Sequence, residues 1–170
     1  MSDQQQLGKR FAFIFWGLFL FIGYQFFDSQ LTKQHNPNQA PSSFVSGEQT
    51  VLVLQRNRMG HYVTSGKING FPVTLLLDTG ATDLAIPKSV ADAIGLPYGA
   101  PMRVRTANGE ATAYRTEIQN LSIGELQFGQ VRASIIPGKD DDEILLGMSA
   151  LKQVEFSQRG DQLTIKHYKQ

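Results

Sequence analysis

Leu75-Leu76-Leu77-Asp78-Thr79-Gly80-Ala81-Thr82 sets an acid directly after a wholly apolar run and ahead of a turn-forming Thr-Gly pair. The run Phe71 to Leu77 suits a buried strand, and a charge at the mouth of such a strand needs a partner. An Asp-Thr-Gly triplet alone is weak evidence, since Asp and Gly are ordinary turn residues at strand ends. Its surroundings carry more. Asp83-Leu84-Ala85-Ile86-Pro87 reads as a further strand leaving the loop, and much later Ile144-Leu145-Leu146-Gly147 forms a second apolar run closed by glycine.

Outward from this loop the texture is short apolar runs broken by Gly, Asn and Pro, which is the punctuation of an all-β domain. His61 to Ile68 alternates, Asn69-Gly70 is a two-residue hairpin signal, and Phe71 to Leu77 follows as the return strand. Lys88 to Ile94, ended by Gly95, predicts one short helix. Met102 to Ala107 and Glu110 to Ile118 flank a second hairpin signal, Asn108-Gly109. Leu126 to Ile136, Val154 to Ser157 and Leu163 to Tyr168 complete a set of strands at the spacing of a small barrel or sandwich over residues 50–170, and a small closed barrel with one short helix is the expected fold. No internal repeat is visible, so the chain supplies one lobe.

Upstream, Phe11 to Phe27 (FAFIFWGLFLFIGYQFF) holds most of the chain's phenylalanines and its only tryptophan. As a helix it reaches roughly 25 Å, the short end of what crosses a bilayer. It is apolar on every side, unlike an amphipathic core helix. No small-x-small cleavage site follows it, so an uncleaved anchor over residues 11–27 is expected in place of a signal peptide. Lys9 and Arg10 precede it and Asp28 follows, which puts residues 1–10 in the cytoplasm and the rest outside. Residues 28–49 are rich in Gln, Asn, Ser and Pro without periodicity, and read as a flexible linker.

Composition excludes several classes. Sixteen Lys plus Arg against 15 Asp plus Glu leave a net charge of +1 over 170 residues, with no basic stripe for nucleic acid. There is no cysteine, hence neither a disulfide framework nor a thiolate metal site. His35, His61 and His167 lack paired spacing, and the acidic run 140–143 lacks the alternating ligands and turn glycine of a calcium loop. No metal and no cofactor is expected.

LLLDTGAT followed at a distance by ILLG resembles the aspartic peptidases, specifically the single-lobed, retropepsin-like branch in its membrane-anchored bacterial form. The resemblance covers about residues 50 to 168. It implies that Asp78 is catalytic, that Thr79, Gly80 and Ala81 support it, and that Leu145, Leu146 and Gly147 pack behind the loop. It also implies that the hairpin around Thr106, Ala107, Asn108 and Gly109 is a flap closing over substrate. Two positions depart from the retroviral pattern. Thr82 and Met148 stand where an Asp and an Arg brace the dimer, and losing both avoids leaving one buried charge unpaired.

The chemistry explains a single Asp per chain. Two adjacent carboxylates share one proton, so that the ionised partner draws a proton from water while the other hydrogen-bonds the scissile carbonyl. With one Asp-Thr-Gly per chain, two copies of Asp78 must meet across a two-fold axis. The expected protein is therefore a homodimeric aspartic endopeptidase acting on peptide or protein substrates. Its single pass would leave the protease domain outside the cytoplasm, facing the periplasm at a bacterial inner membrane. The alternative is a non-catalytic peptide-binding or assembly module of the same fold.

Overall fold

The computed structural model describes residues 3–106, 109–138 and 141–168. The chain divides into two compact units, Met1–His35 and Asn36–Gln170. The first is a single helix, α1 (Asp3–His35). At 33 residues it is about 50 Å long. Phe11–His35 is long and apolar enough to cross a membrane, and its Phe, Leu and Ile side chains are exposed.

The second unit is mostly β. In chain order it runs β1 (Ser42–Ser46), β2 (Gln49–Gln55), β3 (Val63–Ile68), β4 (Phe71–Leu77) and β5 (Leu84–Pro87), then α2 (Lys88–Ala93). β6 (Pro101–Thr106), β7 (Gly109–Ile118), β8 (Leu121–Ile123), β9 (Leu126–Phe128), β10 (Val131–Ile136) and β11 (Glu143–Leu146) follow. α3 (Met148–Leu151), β12 (Glu155–Arg159) and β13 (Gln162–Tyr168) complete it.

These strands make two sheets. One has the order β1-β2-β13-β12, the other β6-β7-β10-β5-β11-β4-β3-β8-β9. Among the described residues both orders have free ends, so strand pairing does not close the expected barrel. Alternation along the strands buries one face. Leu52 and Leu54 of β2, Leu75 of β4, Leu84 and Ile86 of β5 and Ile144 of β11 are all fully buried in one core cluster.

Several elements differ from the expectations. Leu126 to Ile136 is two strands, because the chain turns at Gly129 between β9 and β10. The single short helix is joined by α3, one turn long, too short to show a helical period. Within 28–49, expected to be a linker, α1 continues to His35 and β1 pairs along β2 from Ser42 to Ser46. Between them Asn36 and Asn38 are buried at 5% and 4% exposure. The Asn38 side chain donates to the carbonyls of Gln55 (2.9 Å) and Val63 (2.7 Å) and accepts from the Gln55 amide (2.7 Å). Its own carbonyl accepts from the Ser65 amide, 3.1 Å away. Asparagine supplies both donor and acceptor, which lets it stand in for a strand where no strand runs.

Candidate active site

Asp78 sits where β4 ends, and three strands fix that point. β11 lies between β4 and β5, parallel to β4 with Leu145 beside Leu76 and Leu146 beside Leu77. It meets β5 antiparallel at Leu145 and Ala85. The apolar run LLL and the apolar run ILL are therefore neighbours in one ladder, buried enough to hold the loop rigidly.

The loop itself is tied by hydrogen bonds. The Asp78 amide donates to the Leu146 carbonyl at 3.2 Å, and the Ala81 amide returns to the Asp78 carbonyl at 3.2 Å. The Gly80 amide donates to Oδ1 of Asp78 at 2.8 Å, so one carboxylate oxygen is held by a backbone donor. From behind, the Met148 amide donates to the Ala81 carbonyl (2.8 Å) and the Ser149 amide to the Thr82 carbonyl (2.9 Å). Gly147 makes this approach possible. A Cβ there would lie 2.3 Å from the Asp83 carbonyl oxygen and 2.7 Å from that of Ala81, inside any tolerable contact.

Asp78 and Ala81 are partly buried, while Thr79 and Gly80 are exposed. Asp78 and the three expected support positions thus lie on one tight turn, with Leu145, Leu146 and Gly147 directly behind it. Of the flap hairpin, Ala107 and Asn108 lie outside the described residues. Thr106 and Gly109 face each other as the last pair of β6 and β7.

Residues with no local signal in the sequence also converge on the loop. The Arg132 guanidinium of β10 lies 3.4 Å from Oδ1 of Asp83. That oxygen is buried and otherwise without a hydrogen bond. The Ser149 hydroxyl donates to the Arg132 carbonyl at 2.8 Å. Asp83 was legible only as the start of a strand, and Arg132 reaches it through the parallel pairing of β10 with β5, in which Ala133 stands beside Leu84.

A cavity of about 510 Å³ adjoins the loop, lined by Thr82, Asp83, Tyr98, Met102, Thr116 and Arg132 among others. Asp78 lines neither this cavity nor a second one between β4 and α2. Tyr98 on the cavity wall donates to Asp92 at 2.6 Å and stacks edge-on against Tyr114. Lys88, hydrogen-bonded to the same carboxylate, together with Tyr98 holds Asp92 below the usual carboxylate range. This cluster is an exposed brace, not a proton-transfer pair. Among the described residues no three His, Asp or Glu gather as metal ligands.

Residues 64–153 match the family model described as "gag-polyprotein putative aspartyl protease". The chain is 33% identical over 144 residues to an uncharacterized protein from the 5' region of cobV in a Sinorhizobium species, covering 82% of this chain and 62% of that protein. It is 29% identical over 131 residues to an uncharacterized protein of Rickettsia prowazekii (strain Madrid E), covering 75% of this chain and 56% of that one. It therefore spans about three fifths of the length of these curated relatives. The crystal structure of a retropepsin-like aspartic protease from Rickettsia conorii superimposes with a TM-score of 0.60 at 30% identity, over 75% of this chain and 95% of that one. By the family match and by the strand-loop-strand frame around Asp78, the chain belongs to the gag-type, retropepsin-like aspartic protease family.

Proposed function

We propose that the chain is an aspartic endopeptidase whose active unit is a homodimer, with one Asp78 from each copy sharing a proton and activating a water between them. One observation carries this reading. The Asp78 carboxylate is held by the Gly80 amide at the end of a β4-β11-β5 frame, at the surface of a single chain. With a single Asp-Thr-Gly in the chain, a carboxylate fixed in this way supplies half of a dyad. Thr79 and Gly80, exposed in one copy, are free to meet their counterparts in another.

The substrate is a peptide or protein segment, bound between the Asp78 loops and the two β6-β7 hairpins, and no metal or cofactor takes part. α1 anchors the chain over residues 11–27 with Lys9 and Arg10 on the cytoplasmic side, so the protease domain faces the periplasm. The test is hydrolysis of a peptide library by the full-length chain in phospholipid vesicles, with and without Asp78→Asn. Asn is nearly isosteric with Asp yet cannot accept the catalytic proton, so hydrolysis should vanish while the fold remains. Activity persisting in the Asn variant would exclude the mechanism.

A further inference from the structure

Among the described residues of the protease unit, the exposed large apolar side chains are Phe44, Val45, Met59, Phe71, Tyr98, Phe156 and Tyr168. Phe44, Val45, Phe156 and Tyr168 all belong to the four-stranded sheet. Apolar residues exposed singly mean little, so the face they share decides. Register settles it. Phe44 stands opposite Val51, and Val51 opposite Lys166. Tyr168 lies two residues on from Lys166, on the same side of the sheet. Leu52, Leu54 and Ile165 alternate with these residues and fill the core from the other side. Phe44, Val51, Val53 and Tyr168 therefore share the outer face.

That face does not suit water. A sheet with one wet side alternates apolar and polar residues. β2 instead reads Val51-Leu52-Val53-Leu54, apolar on both sides, with Val51 8% exposed and Val53 half-buried. Beside these valines Phe44 is 51% exposed and Tyr168 44%. Tyr168 keeps its hydroxyl on Glu155 at 3.4 Å, an apolar ring with a polar tip. Lys166 is half-buried, so its stem covers apolar surface while its ammonium stays at the rim. Side chains of this kind settle at a lipid–water boundary. Two cations on the face, Lys166 and Arg159, stand against one anion, Glu155, a balance that suits phosphate headgroups.

The course of the chain supplies the boundary. β1 is the first strand after α1, and only residues 36–41 lie between them. Asn36 and Asn38 of that link are buried, and Asn38 is bonded to Gln55 and Val63, so the link cannot lengthen. Residues 28–35 separate the expected span from Asn36, and as helix they rise about 12 Å. A soluble partner must diffuse to this face, whereas a bilayer is tied to the same chain by α1.

We propose that the outer face of the β1-β2-β13-β12 sheet lies against the lipid headgroups of the membrane that α1 crosses. Phe44 and Tyr168 enter the interface, and Lys166 meets the phosphates. This rests on the reading of α1 as an anchor. Asp78 and the β6-β7 hairpin belong to the nine-stranded sheet and its loops, so lipid and substrate are met by different sheets.

The chain has no cysteine and a single tryptophan, Trp16 of α1, so two independent reporters fit one protein. Ser42→Cys, exposed on the outer face of β1, carries a nitrobenzoxadiazole label, and Thr112→Cys on β7, exposed on the other sheet, carries it in the control. The labelled full-length chain is placed in phosphatidylethanolamine–phosphatidylglycerol vesicles in which some lipids bear a nitroxide near the headgroup. An interfacial face sits about 5–10 Å into the headgroup boundary, within reach of that nitroxide, so the β1 label should be quenched several-fold more than the β7 label. Adding Phe44→Ser with Lys166→Glu should bring the β1 label down to the control, with far-UV circular dichroism unchanged. Should that pair unfold the unit, Lys166→Glu alone, on the sheet surface, should still weaken the quenching. Equal quenching of the two labels, or β1 quenching that the substitutions leave untouched, overturns the contact. Trp16 emission, read with a nitroxide deep in the acyl chains, reports the anchor in parallel samples. Trp16 quenched with the β1 label unquenched rejects this face alone. Trp16 unquenched with the β1 label quenched rejects the anchor and leaves the lipid contact standing, and neither quenched rejects both.

Discussion

The amide of Asp78 donates to the carbonyl of Leu146 across 3.2 Å, so the acid is hung from the strand that ends in Gly147. Two segments nearly seventy residues apart thus form one rigid unit, and its integrity depends on how closely they approach. Gly147→Ala is the direct probe. The added Cβ would meet the Asp83 and Ala81 carbonyl oxygens at 2.3 and 2.7 Å, both backbone atoms that have little room to give. Overpacking of this kind costs about 1–3 kcal/mol or more. The midpoint of urea unfolding should fall accordingly, and hydrolysis should drop further than stability because the displaced atoms belong to the catalytic loop.

Asn38 supports a second prediction. Asn38→Ala removes three hydrogen bonds and strands the Gln55 amide and carbonyl together with the Val63 carbonyl. The Val63 carbonyl is left buried and unpaired at a cost of about 1–3 kcal/mol, while Gln55 lies at the exposed end of β2, where its groups can turn to water. A loss of about 1–3 kcal/mol is expected on that basis. A protein starting at residue 50 would lose β1 as well as this clamp, so it should unfold at lower urea than one starting at Asn36. Equal midpoints for the two would show that the clamp contributes nothing.

These two residues mark what the sequence made legible and what it did not. The catalytic loop and the strand behind it stood out because both are apolar runs ended by a residue that cannot continue them. The hairpin at Asn69-Gly70 was legible for the same local reason, and Asn69 does take a positive φ of 49°. Asn38 was hidden, because a Gln, Asn, Ser and Pro composition reads as a linker. Its burial depends on backbone groups of β2 and β3 that only the folded sheet brings together. Arg132 was hidden in the same way, since its approach to Asp83 follows from strand order and not from spacing. Sheet closure is likewise a property of which edges pair, and alternation along one strand is silent about that.

The Lys88–Asp92–Tyr98 cluster predicts a pH effect of definite sign. Asp92 is held below its ordinary value of 3.8, first by the Lys88 hydrogen bond and then by Tyr98. A carboxylate lowered in the folded state stabilises above its unfolded value, and that contribution is lost as pH falls through the folded one. Lys88 is raised above 10.5 by the same contact, so its share persists until alkaline pH. Asp92→Asn should therefore lower the melting temperature at pH 7, and by less at pH 3. The group is exposed, so added salt should shrink the difference at pH 7. A difference that is the same at both pH values would remove the ion pair from the account.

Dimer strength gives the last prediction. Thr82 and Met148 occupy the positions where an acid and a base would brace retroviral dimers, and here both contribute through their backbone: the Met148 amide to Ala81, and the Thr82 carbonyl to Ser149. These bonds hold the loop within one copy and add no charge pair between copies. In the proposed homodimer, association would then lack that charge pair and should be weak. Freed of α1 by starting at Asn36, the protease unit should then lose specific activity on dilution from micromolar to nanomolar protein, because the proposed dyad would exist only in a dimer. Confined to a membrane by α1, two chains meet in a plane at a high effective concentration, and the loss should be smaller at the same total protein. The measurement is initial rate of peptide hydrolysis per chain across that range, for the Asn36 start in solution and the full chain in vesicles. A rate per chain that stays flat for the unanchored unit would mean a tight dimer or an active single copy, and in either case the anchor would not be needed to assemble the site.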